Sequence, residues 1–215
     1  MCEIVVKAFL FDMDGVLVDS LDTHFYAFNA TFQKFGAEKI RRETFLEKFW
    51  GTYIEKDVEL VFGKISRQLV KEIVEEYPLE IEKFTEYTKI YPEAKRVLME
   101  LKKKDVKVGL VSSSQKRIVD TLIQHVGLQD YFDVTICGDQ VIRPKPAPDG
   151  INKACSFLGV KPSEAVYIGD GIQDVVAGKS AGCFTIAVTT TCGKESLKGA
   201  DLIIDSLAKL HNFKR

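Results

Sequence analysis

Short runs of apolar and β-branched residues, at 4–11, 106–111, 134–137, 165–168, 184–188 and 202–204, recur along the chain. Helix-length amphipathic stretches at 92–104, 115–126, 147–158 and 173–180 separate most of them. Parallel strands cannot be joined by tight turns and need a crossover, usually a helix, between each pair. The alternation therefore predicts an α/β fold, a doubly wound parallel sheet of Rossmann-like form. Such a sheet also dictates where chemistry belongs: ligands gather beyond the carboxyl ends of the strands, where strand order reverses.

Residues 19–88 break the rhythm. Apolar residues recur there at helical spacing, as in His24, Phe25, Phe28, Phe32 and Phe35, and in Leu60, Val61, Ile65, Leu69 and Ile73. This segment is expected to be a small helical domain inserted after the first strand. The chain returns to the sheet near Tyr91 and Pro92, where proline marks a boundary. The division is then a core of 1–18 and 89–215 around a helical domain of 19–88, within the range for one core domain with an insertion.

A formal net charge of −1 argues against a nucleic-acid partner, and the one short basic run, Lys102-Lys103-Lys104, reads as a solvated helix end. The first residues lack the layout of a signal peptide, and no apolar run is long enough for a membrane span. Five scattered cysteines without a CxxC fit a reducing compartment, so a cytoplasmic protein without membrane association is expected.

The first strand runs out in FLFDMDGVL, residues 9–17. Alternate side chains of an extended chain share a face, so Asp12 and Asp14 are expected to crowd together as the strand leaves the core. Two carboxylates about 4 Å apart repel by about 4 kcal/mol at an effective dielectric of about 20. A metal ion, a retained proton or full hydration must offset that, unless the pair merely forms a turn or cap.

The strand at 106–111 ends in Ser112, Ser113 and Ser114. Hydroxyls and free amides at a helix N-terminus suit an anion, though for Ser114 taken alone plain capping is the better reading. Beyond the third strand, Pro144, Pro146 and Pro148 stiffen the chain around Lys145, a compact positive charge for a phosphate or carboxylate. The strand at 165–168 leads into Gly169-Asp170-Gly171-Ile172-Gln173-Asp174. Asp170 reads either as a helix cap or as a carboxylate facing Asp12 and Asp14, and Asp174 either as an exposed helix residue or as part of the same group. Three converging carboxylates suit a hard cation with oxygen ligands, Mg²⁺ first among them.

DMDGVLVDS, the serine-ended strand, the KPAP loop and GDGIQD together resemble the four motifs of the haloacid dehalogenase-like hydrolase superfamily, in their usual order. The helical insertion resembles the cap that some members place between the first two motifs. The resemblance implies a Mg²⁺-dependent phosphatase acting on a small phosphorylated metabolite, as a monomer or small homo-oligomer. It implies Asp12 as nucleophile, Asp14 as general acid and then base, and Ser112, Ser113 and Lys145 as holders of the phosphoryl oxygens. Asp170 with the Asp12 carboxylate and the Asp14 backbone carbonyl would hold the metal, with Asp174 ligating or orienting nearby. Gly171 departs from the serine that many relatives carry there.

Relatives that cleave carbon–halogen bonds lack an acid at the position of Asp14, so the second aspartate favours phosphoryl transfer. A β-phosphoglucomutase-like transferase is the main rival, because His24 stands where such mutases keep a functional histidine. Those mutases also use a cap arginine, and 50–55 (WGTYIE) contains none. A phosphorylated receiver switch lacks the insertion, and a silent binding relative would not be expected to keep every motif. Trp50 and Tyr53 read either as leaving-group contacts or as packing.

Overall fold

The computed structural model of the protein describes residues 6–212. Its strands are β1 (Ala8–Phe11), β2 (Val18–Asp19), β3 (Lys89–Ile90), β4 (Lys107–Val111), β5 (Val134–Ile136), β6 (Ala165–Gly169), β7 (Phe184–Val188) and β8 (Leu202–Ile204). The helices are α1 (Leu21–Lys34), α2 (Arg42–Lys48), α3 (Ile54–Phe62), α4 (Arg67–Lys83), α5 (Ala94–Lys103), α6 (Lys116–His125), α7 (Asp149–Leu158) and α8 (Ile172–Ala181). The expected first strand began at residue 4, and its first two residues lie outside the described ones.

Six strands form one parallel sheet in the order β5-β4-β1-β6-β7-β8. The chain winds outward from β1 through β4 to β5, then returns to the other side of β1 and winds outward again. Strand order thus reverses at β1. Phe11 pairs with Leu110 on one side and Ile168 on the other, so β1, β4 and β6 finish nearly level. The period of two sorts the core cleanly. Phe9, Phe11, Val108, Leu110, Val166 and Ile168 pack on one face, and Ala8, Leu10, Val111, Ala165 and Tyr167 on the other.

Helices α1–α4 interrupt the sheet between β1 and β4. At the root of this excursion β2 and β3 pair antiparallel, Val18 with Ile90 and Asp19 with Lys89, a ladder too short to leave a sequence signal. An aromatic cluster fills the helical group: Phe28 stacks on Phe32 with centroids 4.0 Å apart and meets Phe45 and Phe49 at 5.4 and 4.7 Å. The apolar run Leu60 to Ile73 is not one helix. Gly63, at φ +67°, ends α3, and the Ser66 hydroxyl accepts from the Leu69 amide to start α4. α4 packs against α6, where Arg117 pairs with Glu82 at 2.7 Å.

Candidate active site

The reversal at β1 brings four segments together. The Asp12 amide donates to Ile168 O at 2.8 Å, adding one rung to the β1–β6 ladder. The chain then bends at Met13, whose carbonyl accepts from the Leu17 and Val18 amides. The bend ends the strand's alternation, and Asp12 and Asp14 find different partners although both line one cavity and Asp14 still adds to the rise of Asp12. Gly15 follows with φ +75°, and a Cβ there would lie 2.0 Å from Asp170 Oδ2. Only glycine lets the turn pass so close to the end of β6.

Asp12 faces Lys145 instead. The Lys145 ammonium lies 2.8 Å from Asp12 Oδ1 and 2.7 Å from Asp174 Oδ1, with 8% of its side chain exposed. Asp174 also accepts from Tyr167 Oη at 2.7 Å and from the Gly171 amide at 3.0 Å. It is buried, not exposed on its helix, and Asp170 stands before α8 without capping it; the cap residue is Gly171. Burial pulls the Lys145 ammonium down, but Asp12 and Asp174 outweigh it and hold it above the usual lysine range. Burial first, and Asp174 next, raise Asp12 well above the usual carboxylate range; Asp14 adds least. Burial and then Asp174 push Asp170 up to about 7.

Asp14 has separate company. The Ser20 hydroxyl donates to its Oδ1, His24 Nε2 lies 3.3 Å from the same oxygen, and the Ser114 hydroxyl lies 3.4 Å from Oδ2. Burial raises Asp14, yet the charge and hydrogen bond of His24 and the Ser20 hydroxyl outweigh it and hold the carboxyl below its usual range. His24 is in turn fixed by Tyr77, whose hydroxyl meets Nδ1 at 2.7 Å. Ser114 therefore does not cap α6; the cap residue is Gln115 and its side chain makes no capping bond. Ser112 is buried and its Oγ accepts from the Ser114 amide at 3.0 Å. The buried Ser113 Oγ has no hydrogen-bond partner among the described residues.

Asp12, Asp14, Ser113, Lys145, Asp170 and Asp174 floor a cavity of about 750 Å³ whose far wall comes from α2, α3 and the turn between them. Trp50 and Tyr53 both line it, and Trp50 meets His24 edge-on with centroids 5.8 Å apart. Sequence reasoning missed Tyr77, Asp57, Ser20 and Thr191. Tyr77 and Asp57 sit at ordinary core-facing positions of helices, and only the folded packing distinguishes them. Ser20 closes the DMDGVLVDS stretch, and nothing in the sequence assigns it a partner.

Oxygens of Asp12, Asp170 and Asp174 lie within 4.8 Å of one another, and Asp170 Oδ2 is buried without a hydrogen-bond partner. Three hard ligands, an orphaned oxygen and mutual repulsion fit a divalent cation such as Mg²⁺. The Asp14 carboxylate, engaged by Ser20 and His24, stands outside this trio.

The sequence model of the haloacid dehalogenase-like hydrolases matches residues 9–188. Pyrophosphatase PpaX of Bacillus cereus (strain AH820) is 30% identical over 209 residues, which cover 95% of this chain and 94% of that protein. The crystal structure of CbbY from Rhodobacter sphaeroides in complex with phosphate superposes with a TM-score of 0.86 at 25% identity, covering 96% of each chain. β-Phosphoglucomutase from Clostridium difficile superposes at 0.84 with 24% identity, over 96% of this chain and 93% of that one, a likeness of fold alone.

Proposed function

The chain belongs to the haloacid dehalogenase-like hydrolase family, and within it we propose a Mg²⁺-dependent phosphatase that hydrolyses a small phosphate monoester through an aspartyl-phosphate on Asp12. One observation carries this reading: Asp12 is buried at the reversal point of the sheet, 2.8 Å from a buried lysine and beside Asp170 and Asp174. An ionised carboxylate fixed there can attack phosphorus in line, forming an O–P bond as the ester oxygen leaves.

To protonate the leaving oxygen, Asp14 must first take up a proton against the pull of His24 and Ser20, which favour its ionised form in the free protein. As the resulting carboxylate it then takes a proton from the water that cleaves the Asp12–P bond. The Lys145 ammonium, the Ser112 hydroxyl and the unpartnered Ser113 Oγ bind phosphoryl oxygens, where their charge and dipoles matter most as negative charge shifts. Asp12, Asp170 and Asp174 would hold the Mg²⁺, which supplies positive charge that lets an anionic nucleophile meet an anionic substrate. The segment 19–88 acts as a cap that closes over the floor and excludes water.

The relative named pyrophosphatase and the phosphate-bound CbbY agree with phosphoryl chemistry. A mutase has to grip a second phosphate while the intermediate turns over, and the turn at 50–55 offers it no arginine. Hydrolysis is therefore the reading with the better support. Purified protein with Mg²⁺ should release phosphate from a panel of monoesters, and Asp12→Asn should release none while keeping its fold. Turnover by Asp12→Asn at the wild-type rate would refute the assignment.

A further inference from the structure

We propose that the cavity selects a phosphate monoester whose alcohol portion carries no anionic group, and takes an amine-bearing alcohol best; the inference rests on the phosphatase reading above and names its substrate class.

The cavity's floor carries its lining lysine, and the half opposite carries none. At the floor, Lys145 faces Asp12 and Asp174, and the phosphoryl group binds there. The half beneath α2 and α3, where a leaving group must lie, is lined by Glu47, Glu55 and Asp57. Among the described residues lining the cavity, Lys145 is the only lysine and no arginine is present. Lys48 and Lys56 neighbour these acids in sequence, but both are exposed and neither lines the cavity. Asp139 adds a further carboxyl at the core side, although it is occupied by the Lys116 amide at 3.0 Å.

Two features make this half more than a solvated acidic rim. Asp57 is buried and its carboxylate accepts from the Thr52 hydroxyl. Burial pushes it up to about 7, against the pull of Thr52 and Lys56, so a cation brought beside it would draw off its proton and gain a partner. An anion brought there finds no lysine or arginine among the described residues lining that half, Lys56 lying outside the cavity, and loses hydration, which is costly. The rings of Phe45, Trp50 and Tyr53 line the same half. Aromatic faces interleaved with carboxylates attract ammonium groups and repel carboxylates and phosphates.

A two-carbon ester places its terminal group in this half once its phosphoryl group is seated on the floor. Phosphoglycolate would put a carboxylate there, a bisphosphate a second phosphate, and pyrophosphate an anionic leaving group. 2-Aminoethyl phosphate would put an ammonium there instead.

The test compares kcat/KM of the full-length protein with Mg²⁺ on 2-aminoethyl phosphate, 2-hydroxyethyl phosphate and phosphoglycolate, which are close in size, together with inorganic pyrophosphate. The expected order is amine, then hydroxyl, then carboxylate, with about tenfold or more between first and last. Glu47→Lys and Glu55→Lys change exposed side chains, so both should fold, as thermal unfolding will report. Each should shrink that ratio several-fold. A preference for phosphoglycolate or pyrophosphate overturns the inference and leaves the phosphatase reading standing, as does a ratio that neither variant moves. Failure to hydrolyse any of the panel or any other phosphate monoester overturns both.

Discussion

Lys145 and Asp12 form a buried ion pair, 2.8 Å from nitrogen to oxygen, at the carboxyl end of the central strand. The pair is part of a triangle, because Lys145 also reaches Asp174, and the one ammonium is shared by two carboxylates with a third, Asp170, close by. Three carboxyl groups against one ammonium leave an excess of acid that, without a metal, protons retained on Asp12 and Asp170 offset. This imbalance is what a phosphatase floor needs. It leaves room for a divalent cation, and it keeps the lysine charged for the substrate.

Lys145→Ala should remove both activity and stability. Breaking a buried pair leaves its partner uncompensated, which costs about 3–5 kcal/mol in comparable sites. Urea unfolding without metal should show a loss of that order, and Mg²⁺ should restore part of the stability but not the phosphate release. Lys145→Arg should not rescue turnover, since a planar fork cannot replace a compact ammonium between two oxygens. A fully stable and active Lys145→Ala would remove the lysine from the site.

Metal-free stability should fall as pH rises from about 4 to about 7. Asp170 is pushed up to about 7 by burial and Asp174, so the folded protein keeps a proton that the unfolded chain has already released. Unfolding then releases a proton, and stability declines with pH across that window and levels off above it. Asp12, also raised, acts in the same direction. The total is on the order of a few kcal/mol. Thermal unfolding in EDTA should show the decline, Asp170→Asn should lessen it without abolishing it because Asp12 and Asp57 are raised too, and Mg²⁺ should stabilise more at pH 8 than at pH 5. A Tm in EDTA that rises through this window would contradict the account.

Removing His24 should move the acid limb of the pH–rate profile to higher pH. Burial alone raises Asp14, and His24 is the strongest of the groups that counteract it. With His24→Ala the carboxyl regains its proton at higher pH, so the base form needed for the water attack appears later. Tyr77→Phe, which removes the hydroxyl 2.7 Å from His24 Nδ1, should shift the limb in the same direction to a smaller extent. An unmoved limb with lowered kcat would reduce His24 to a packing residue.

The sheet was legible because each of its strands carries a short apolar run, most of them rich in β-branched residues, and parallel strands must be spaced by crossovers. The motif residues were legible because they sit at strand ends, which the topology gathers. What the sequence could not convey was which partner each side chain finds. Asp12 and Asp14 are two residues apart, and period-two reasoning put them together; the bend at Met13 sends one to Lys145 and the other to His24. Ser114 looked like a helix cap until the start of α6 fell two residues later. Tyr77 gave no signal, because a tyrosine on the buried stripe of a helix usually just packs. Lys145 reaches Asp12 from a loop far along the chain and Tyr77 reaches His24 from α4, and local pattern carries no record of such contacts.

Gly15→Ala should uncouple the first strand's turn from Asp170. The residue sits at φ +75°, where a side chain costs roughly 1–2 kcal/mol of backbone strain. The added Cβ would also lie 2.0 Å from Asp170 Oδ2 and 2.8 Å from Thr191 Oγ1. Asp170 is buried against Asp174 and cannot withdraw freely, so either the turn or the carboxylate must move. Both movements misplace a residue proposed to hold Mg²⁺, and the metal concentration needed for half-maximal activity should rise along with a loss of stability. The two costs can be separated. In Gly15→Ala/Asp170→Ala the collision with the carboxylate is gone and the φ strain remains, so the double variant should be less destabilised than the sum of the singles. Strict additivity would mean that the turn carries the whole cost through its backbone, and that Asp170 is free to shift within the floor.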